Sequence, residues 1–230
     1  MSGWWIADLW STTNGPVLVV SWLVWVIGSI TLHELAHGWT ALYFGDETPR
    51  VSGHMTWNPL VHMGPYSLFA LALVGIAWGA MPVDPSRLRG KHADTLVTLA
   101  GPMMNLALAI IATLVYALWE PIGTGGLNPS FTVQEPLFTN MRIFLLSGAW
   151  LNVALMLFNL LPIPPLDGGR ILMNLSRGFR EMMRSENGQW VALGMFVIVF
   201  VFGAEYLFSA AMISVDVATG FIRGVLFPNW

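Results

Sequence analysis

The chain has 230 residues, 55% of them hydrophobic and only 10% charged, with a net charge of −3 and a mean hydropathy of +0.64. This composition excludes an ordinary soluble domain, and the ten basic residues form no patch of the kind that holds nucleic acid. There is no Cys, which excludes disulfides and thiolate ligands and leaves any metal to His, Asp or Glu.

Several apolar runs approach or exceed the roughly 18–20 residues that cross a bilayer, so the chain reads as an all-α polytopic membrane protein, one integral domain over 1–230. Its start, Met1-Ser2-Gly3-Trp4-Trp5, lacks the basic n-region of a cleavable signal, and insertion is expected to fall to the spans themselves. Residues 1–16 read as a short interfacial segment anchored by Trp4, Trp5 and Trp10, with Asn14-Gly15-Pro16 as a helix start. The first span is predicted from Val17 to Phe44, closing on Gly45. Between 46 and 65, Pro49, Gly53, Pro59, Gly64 and Pro65 forbid a long helix, and Val51 to Trp57 reads as a short strand or β-hairpin.

Tyr66 to Met81 is apolar but short, and is expected to be re-entrant or half-inserted. A basic segment at 84–91 follows, with Arg87, Arg89 and Lys91, and then a full span from Leu96 to Trp119. The loop at 120–140 carries no Lys or Arg. Ile143 to Leu161 is the next span, halted by Pro162, Pro164 and Pro165. Asp167-Gly168-Gly169-Arg170 opens a basic amphipathic stretch with Arg177, Arg180 and Arg184, and Trp190 to Leu207 is the last clear span. The expected architecture is about four full transmembrane helices plus a re-entrant segment and a short membrane-associated β-hairpin. Residues 17–175 form its core, and 190–230 a C-terminal helix and interfacial tail. The positive-inside rule sends 84–91 and 170–184 to the cytoplasm and 120–140 outside.

The first span contains His33-Glu34-Leu35-Ala36-His37. Four residues apart on a helix, the two imidazoles share one face, the spacing two zinc ligands need, and Glu34 is placed to take a proton from a water there. Three ionisable groups in a membrane-length segment are costly and point to function. A catalytic zinc wants a third protein ligand. Asp167, after the prolines at the cytoplasmic end of a span, would alone read equally well as a helix N-cap; paired with the first motif it is the favoured ligand.

Together, His33-Glu34-x-x-His37 and Asn159-x-x-Pro162 through Asp167-Gly168 resemble the site-2 protease family of intramembrane zinc metalloproteases, in its bacterial branch without a PDZ domain. Gly53-His54 through Asn58-Pro59 to His62, Trp78-Gly79-Ala80-Met81-Pro82-Val83 and Ala100-Gly101-Pro102-x-x-Asn105 fit the same family in the same order. The likeness covers about residues 28–175. It departs at Gly64, where relatives often carry Asp, and at Met81, where many carry Lys.

The resemblance implies one Zn2+ per chain held by His33, His37 and Asp167, with Glu34 as catalytic base. It places Asn105 and Asn159 near the substrate, its oxyanion or the metal, and His62 is a possible secondary member because its loop should fold back toward the metal. The expected activity is endoproteolysis within or near transmembrane segments of membrane-anchored proteins. The expected partners are such a substrate and the lipid bilayer, with no nucleic acid, in a bacterial cell membrane with the active site toward the cytoplasm. The competing reading is a non-proteolytic intramembrane zinc-binding protein or transporter.

Overall fold

The computed structural model describes residues 5–125 and 132–228, so Trp4 and the middle of the 120–140 loop lie outside the described residues. A short helix α1 (Trp5–Trp10) leads into α2 (Gly15–Tyr43), which has Pro16 in its first turn. α2 ends in a Schellman arrangement: Gly45, at φ 94°, donates its N–H to the Leu42 carbonyl, and Asp46 N–H reaches the Ala41 carbonyl. The left-handed backbone at Gly45 makes that stop possible.

The strand or hairpin expected at Val51 to Trp57 is absent, and the described residues contain no strand at all. Instead Thr48–Val51 closes one helical turn, α3, with Pro49 at its start and Asp46 Oδ1 accepting from Thr48 N–H at 2.9 Å. Gly53, at φ 74°, then turns the chain. An extended run needs a neighbour to complete its ladder, and here the local capping groups close a turn first.

α4 (Pro59–Val74) is capped by Asn58 Oδ1, which accepts from Leu60 N–H at 3.0 Å. It kinks at Gly64, whose φ of 67° and ψ of 169° lie in a region essentially reserved for glycine. At Gly75 (φ 76°) the helix ends and the chain doubles back beside it. Ser67 Oγ accepts from Trp78 N–H at 2.8 Å and donates to Trp78 O at 2.7 Å, and Ala80 N–H donates to His62 O at 2.9 Å.

α5 (Ala93–Gly123) and α6 (Leu137–Asn159) form the centre of the bundle with α2. After the Pro162–Pro165 turn come α7 (Asp167–Leu175) and α8 (Arg177–Arg184). Residues 190–230, expected as a span and an interfacial tail, are helical almost to the end. α9 (Glu186–Ile198) passes through a π-helical turn, Val199–Gly203, into α10 (Ala204–Leu226). Among the described residues, four helical stretches are long and apolar enough to cross a membrane: Gly15–Tyr43, Ala93–Gly123, Leu137–Asn159 and Asn187–Leu226.

Small residues set the packing, as expected where lipid tails remove the hydrophobic drive between helices. Ala112, Ala149 and Val215 meet where α5, α6 and α10 converge. The indole of Trp25 lies across Gly148, where any Cβ would collide with it, and donates from Nε1 to Phe144 O at 2.9 Å. Val26, Ile30, Met63, Leu71 and Leu151 form a second buried cluster, joining α2 and α6 to the kinked α4.

Candidate metal centre

His33 and His37 are buried on successive turns of α2, their Nε2 atoms 3.0 Å apart. Asp167 is the first residue of α7, and its Oδ2 lies 3.2 Å from His33 Nε2 and 3.5 Å from His37 Nε2. These three are the one His/Cys/Asp/Glu group among the described residues arranged to hold a metal ion.

The hydrogen bonds behind the rings select the tautomer of each neutral imidazole. The Gly148 carbonyl can only accept, so Asn152 Nδ2 donates to it (2.9 Å) and Asn152 Oδ1 accepts from Asn105 Nδ2 (3.0 Å). Asn105 Oδ1 then faces His33 Nδ1 at 2.6 Å and accepts its N–H. The Val97 carbonyl likewise accepts from His37 Nδ1–H at 2.7 Å. In the neutral rings both Nε2 atoms then carry lone pairs, and both aim at Asp167 Oδ2.

With the rings neutral, three electron-pair donors converge on one point, an arrangement that a cation among them relieves. A tetrahedral zinc with bonds of about 2.0–2.1 Å has ligand–ligand edges of about 3.3–3.4 Å, close to the separations seen. The donor set, two neutral imidazoles and a carboxylate, fits zinc and leaves a fourth position open.

Gly101 of α5 passes directly against both imidazoles, where a Cβ would collide with each Nε2. Glu34, also buried, faces the same cavity, of about 650 Å³. Gly79, in the segment that returns beside α4, makes room for it: a Cβ there would lie 2.7 Å from Glu34 Oε1. Trp78 and Met81 from that segment, and Phe196 and Phe200 beside and within the π-helical turn, close the cavity's other walls.

The other candidates divide between this site and its surroundings. Asn105, expected near substrate or metal, lies behind the metal group, fully buried, with its Oδ1 on His33 and its Nδ2 on Asn152. Asn159 lines the cavity and donates to Leu155 O at 3.0 Å. His62 does not join the metal group; its Nε2–H donates to Thr56 O at 2.7 Å and its Nδ1 is buried without a hydrogen-bond partner. His54 bonds Ser52, and His92 sits at the N-terminus of α5 without capping it. Two members of the site escape the sequence reading. Asn152 carried a signal, an amide in the middle of an apolar span; the Val97 carbonyl, a backbone group, carried none.

The sequence model of peptidase family M50 matches residues 21–203. YwhC of Bacillus subtilis is 35% identical over 193 residues, 81% of this chain and 80% of that protein. MJ0611 of Methanocaldococcus jannaschii is 28% identical over 168 residues, 73% of this chain and 77% of its own length. Rip2 of Mycolicibacterium smegmatis is 31% identical over 160 residues, 66% of this chain but only 54% of that protein. All three bear the name of a zinc metalloprotease. No solved structure matches the chain at a significant level. With a membrane-embedded donor set of two histidines and an aspartate and a family match over most of its length, the chain belongs to peptidase family M50, the site-2 protease family of zinc-dependent intramembrane proteases.

Proposed function

We propose that the chain hydrolyses peptide bonds within or beside the transmembrane segments of membrane-anchored proteins, with His33, His37 and Asp167 as zinc ligands and Glu34 as general base. The observation that carries this reading is that Glu34, next in sequence to one ligand, faces the same cavity as all three. Bound there, zinc would supply a Lewis acid that polarises a peptide carbonyl and brings the pKa of water toward neutrality. Glu34 takes the proton from the attacking water and returns it to the leaving amide nitrogen, as a carboxylate within one water of the scissile bond can. Asn105 and Asn159 both line the cavity; Asn105 is committed to His33 and Asn152, which leaves Asn159 as the amide to meet the substrate strand.

A transmembrane substrate arrives as a helix whose peptide groups are paired. It must unwind to present a carbonyl, at several kcal/mol for each group left unpaired in lipid. Helix-breaking residues near the scissile bond should therefore speed cleavage, and equal cleavage of a rigidly helical counterpart would refute that account. Residues 17–175 are the catalytic core, and the chain between α4 and α5 re-enters without crossing. The basic residues at 84–91 and in α8 support a cell-membrane protein with its active site toward the cytoplasm. A zinc transporter is not favoured, since transport has no use for Glu34 in the base position.

The test is cleavage of a panel of single-span substrates by the purified protein, wild type beside Glu34→Gln, with zinc measured in both. Cleavage by wild type alone, with about one zinc in each, is the expected result; activity surviving in Glu34→Gln would remove it as the base.

A further inference from the structure

One face of α5 serves the whole metal centre. Positions 97, 101 and 105 recur at helical spacing: the Val97 carbonyl holds His37, Gly101 admits both rings, and Asn105 holds His33. Asp94, one turn earlier on that face, touches neither histidine. Its Oδ1 accepts from Arg170 Nη2 at 2.6 Å and its Oδ2 from Asn174 Nδ2 at 2.7 Å. Arg170 and Asn174 lie on α7, three and seven residues beyond Asp167, and so on the face that carries the ligand.

α7 needs such a tie. It is nine residues long, begins just after the Pro162–Pro165 turn, and among the described residues packs chiefly on α5 and α8. A helix that short is not stable on its own, so its rotation and height are set by what it docks on. Gly168 and Gly169 let its first turn approach the preceding chain, where a Cβ on Gly168 would meet the Leu160 carbonyl and one on Gly169 the Pro164 nitrogen. These glycines permit close approach, but they do not orient the helix. The carboxylate of Asp94, gripping two successive turns through charge-assisted hydrogen bonds, does.

Resting on the zinc reading above, we propose that Asp94, with Arg170 and Asn174, is the positioning group for the third metal ligand: it fixes the rotation of α7 so that Asp167 meets the two imidazoles. α5 then orients all three ligands, the histidines directly and the aspartate through α7. Asp94 touches no substrate or reacting atom.

The experiment uses the full-length protein in detergent and reads zinc affinity by chelator competition, together with the absorption spectrum of the cobalt(II)-substituted form. Asp94→Ala should weaken zinc about 10–100-fold, the usual effect of losing a ligand's outer support, and should alter the cobalt spectrum. Asp94→Asn keeps one acceptor for Arg170 and should lose less. The thermal midpoint of the metal-free protein should be unchanged in both. Asn174→Ala, which removes only the second grip, gives an independent reading should Asp94→Ala fail to fold, and should weaken zinc measurably. Wild-type zinc affinity and cobalt spectrum in Asp94→Ala or Asn174→Ala would overturn the inference alone. So would equal loss of midpoint with and without metal, the mark of a general structural tie. No zinc in the wild type would overturn both this inference and the proposed function.

Discussion

A methyl group on Gly101 would collide with Nε2 of both His33 and His37, whereas one on Gly28, in the same bundle, meets nothing within 4 Å. Gly101→Ala should therefore push the imidazoles off the metal and lower zinc affinity by at least about 10-fold, with helix content retained. Gly28→Ala should leave zinc untouched and gain a few tenths to about 1 kcal/mol from helix propensity. Zinc titration and circular dichroism on the pair separate a contact at the site from a general effect of adding a methyl. Asn105 makes a second residue-scale test. Asn105→Ala leaves the His33 Nδ1–H without its acceptor and releases the ring's tautomer, so zinc should weaken about 10–100-fold while Glu34 remains in place. Unchanged zinc affinity in that variant would mean that the ring needs no such support.

At the scale of elements, the joint between α2 and the α4–α5 connection turns on Asp46, whose side chain is wholly buried. It accepts from Thr48 N–H and Oγ1–H, and its Oδ2 accepts from Asp84 N–H at 2.7 Å. Burial pushes its pKa up, but the hydrogen bonds from Thr48 and Asp84 outweigh this and hold the carboxyl below the ordinary aspartate value. The folded value is the depressed one, so the stabilisation is complete above the ordinary pKa of about 3.9 and is lost as pH falls through the folded value. Asp46→Ala should cost about 1–3 kcal/mol at neutral pH, the cost of leaving buried donors unpaired, and should flatten the acid limb of the unfolding midpoint in detergent. A variant with the wild-type acid limb would exclude Asp46 as its source. The long helices were legible because apolar run length and the prolines and glycines at their ends act locally. Val51 to Trp57 was misread because its composition suits an extended run, while Asp46 and Pro49 close a helical turn just upstream and the described residues offer no strand to pair with it.

Over the whole molecule, His33 and His37 were legible as a pair from their spacing and Asp167 only through its pairing with that motif and the family resemblance; how the three are held was not legible at all. The Asn105–Asn152–Gly148 relay and the Val97 carbonyl join helices far apart in sequence, and a backbone acceptor leaves no residue signature. At the other end of the bundle from the metal, Glu120 binds Arg142 at 3.0 Å and Arg223 at 2.6 Å, tying α5, α6 and α10 together. The two ends differ in charge as well. Arg177 and Arg184 lie exposed on α8, which follows directly from the ligand-bearing α7, whereas 120–140 carries no basic residue. The positive-inside rule predicts that the metal end faces the cytoplasm, in which case a cut there would free a fragment on that side. The absence of Cys makes the orientation directly testable. Gly178→Cys, on α8 with open space around it, and Gln134→Cys, exposed on the opposite loop, each place a single thiol in the chain. A membrane-impermeant maleimide should label Gln134→Cys in intact cells and Gly178→Cys only once the membrane is opened. The reverse pattern would turn the molecule over and place the metal, and the product released near it, on the outer side.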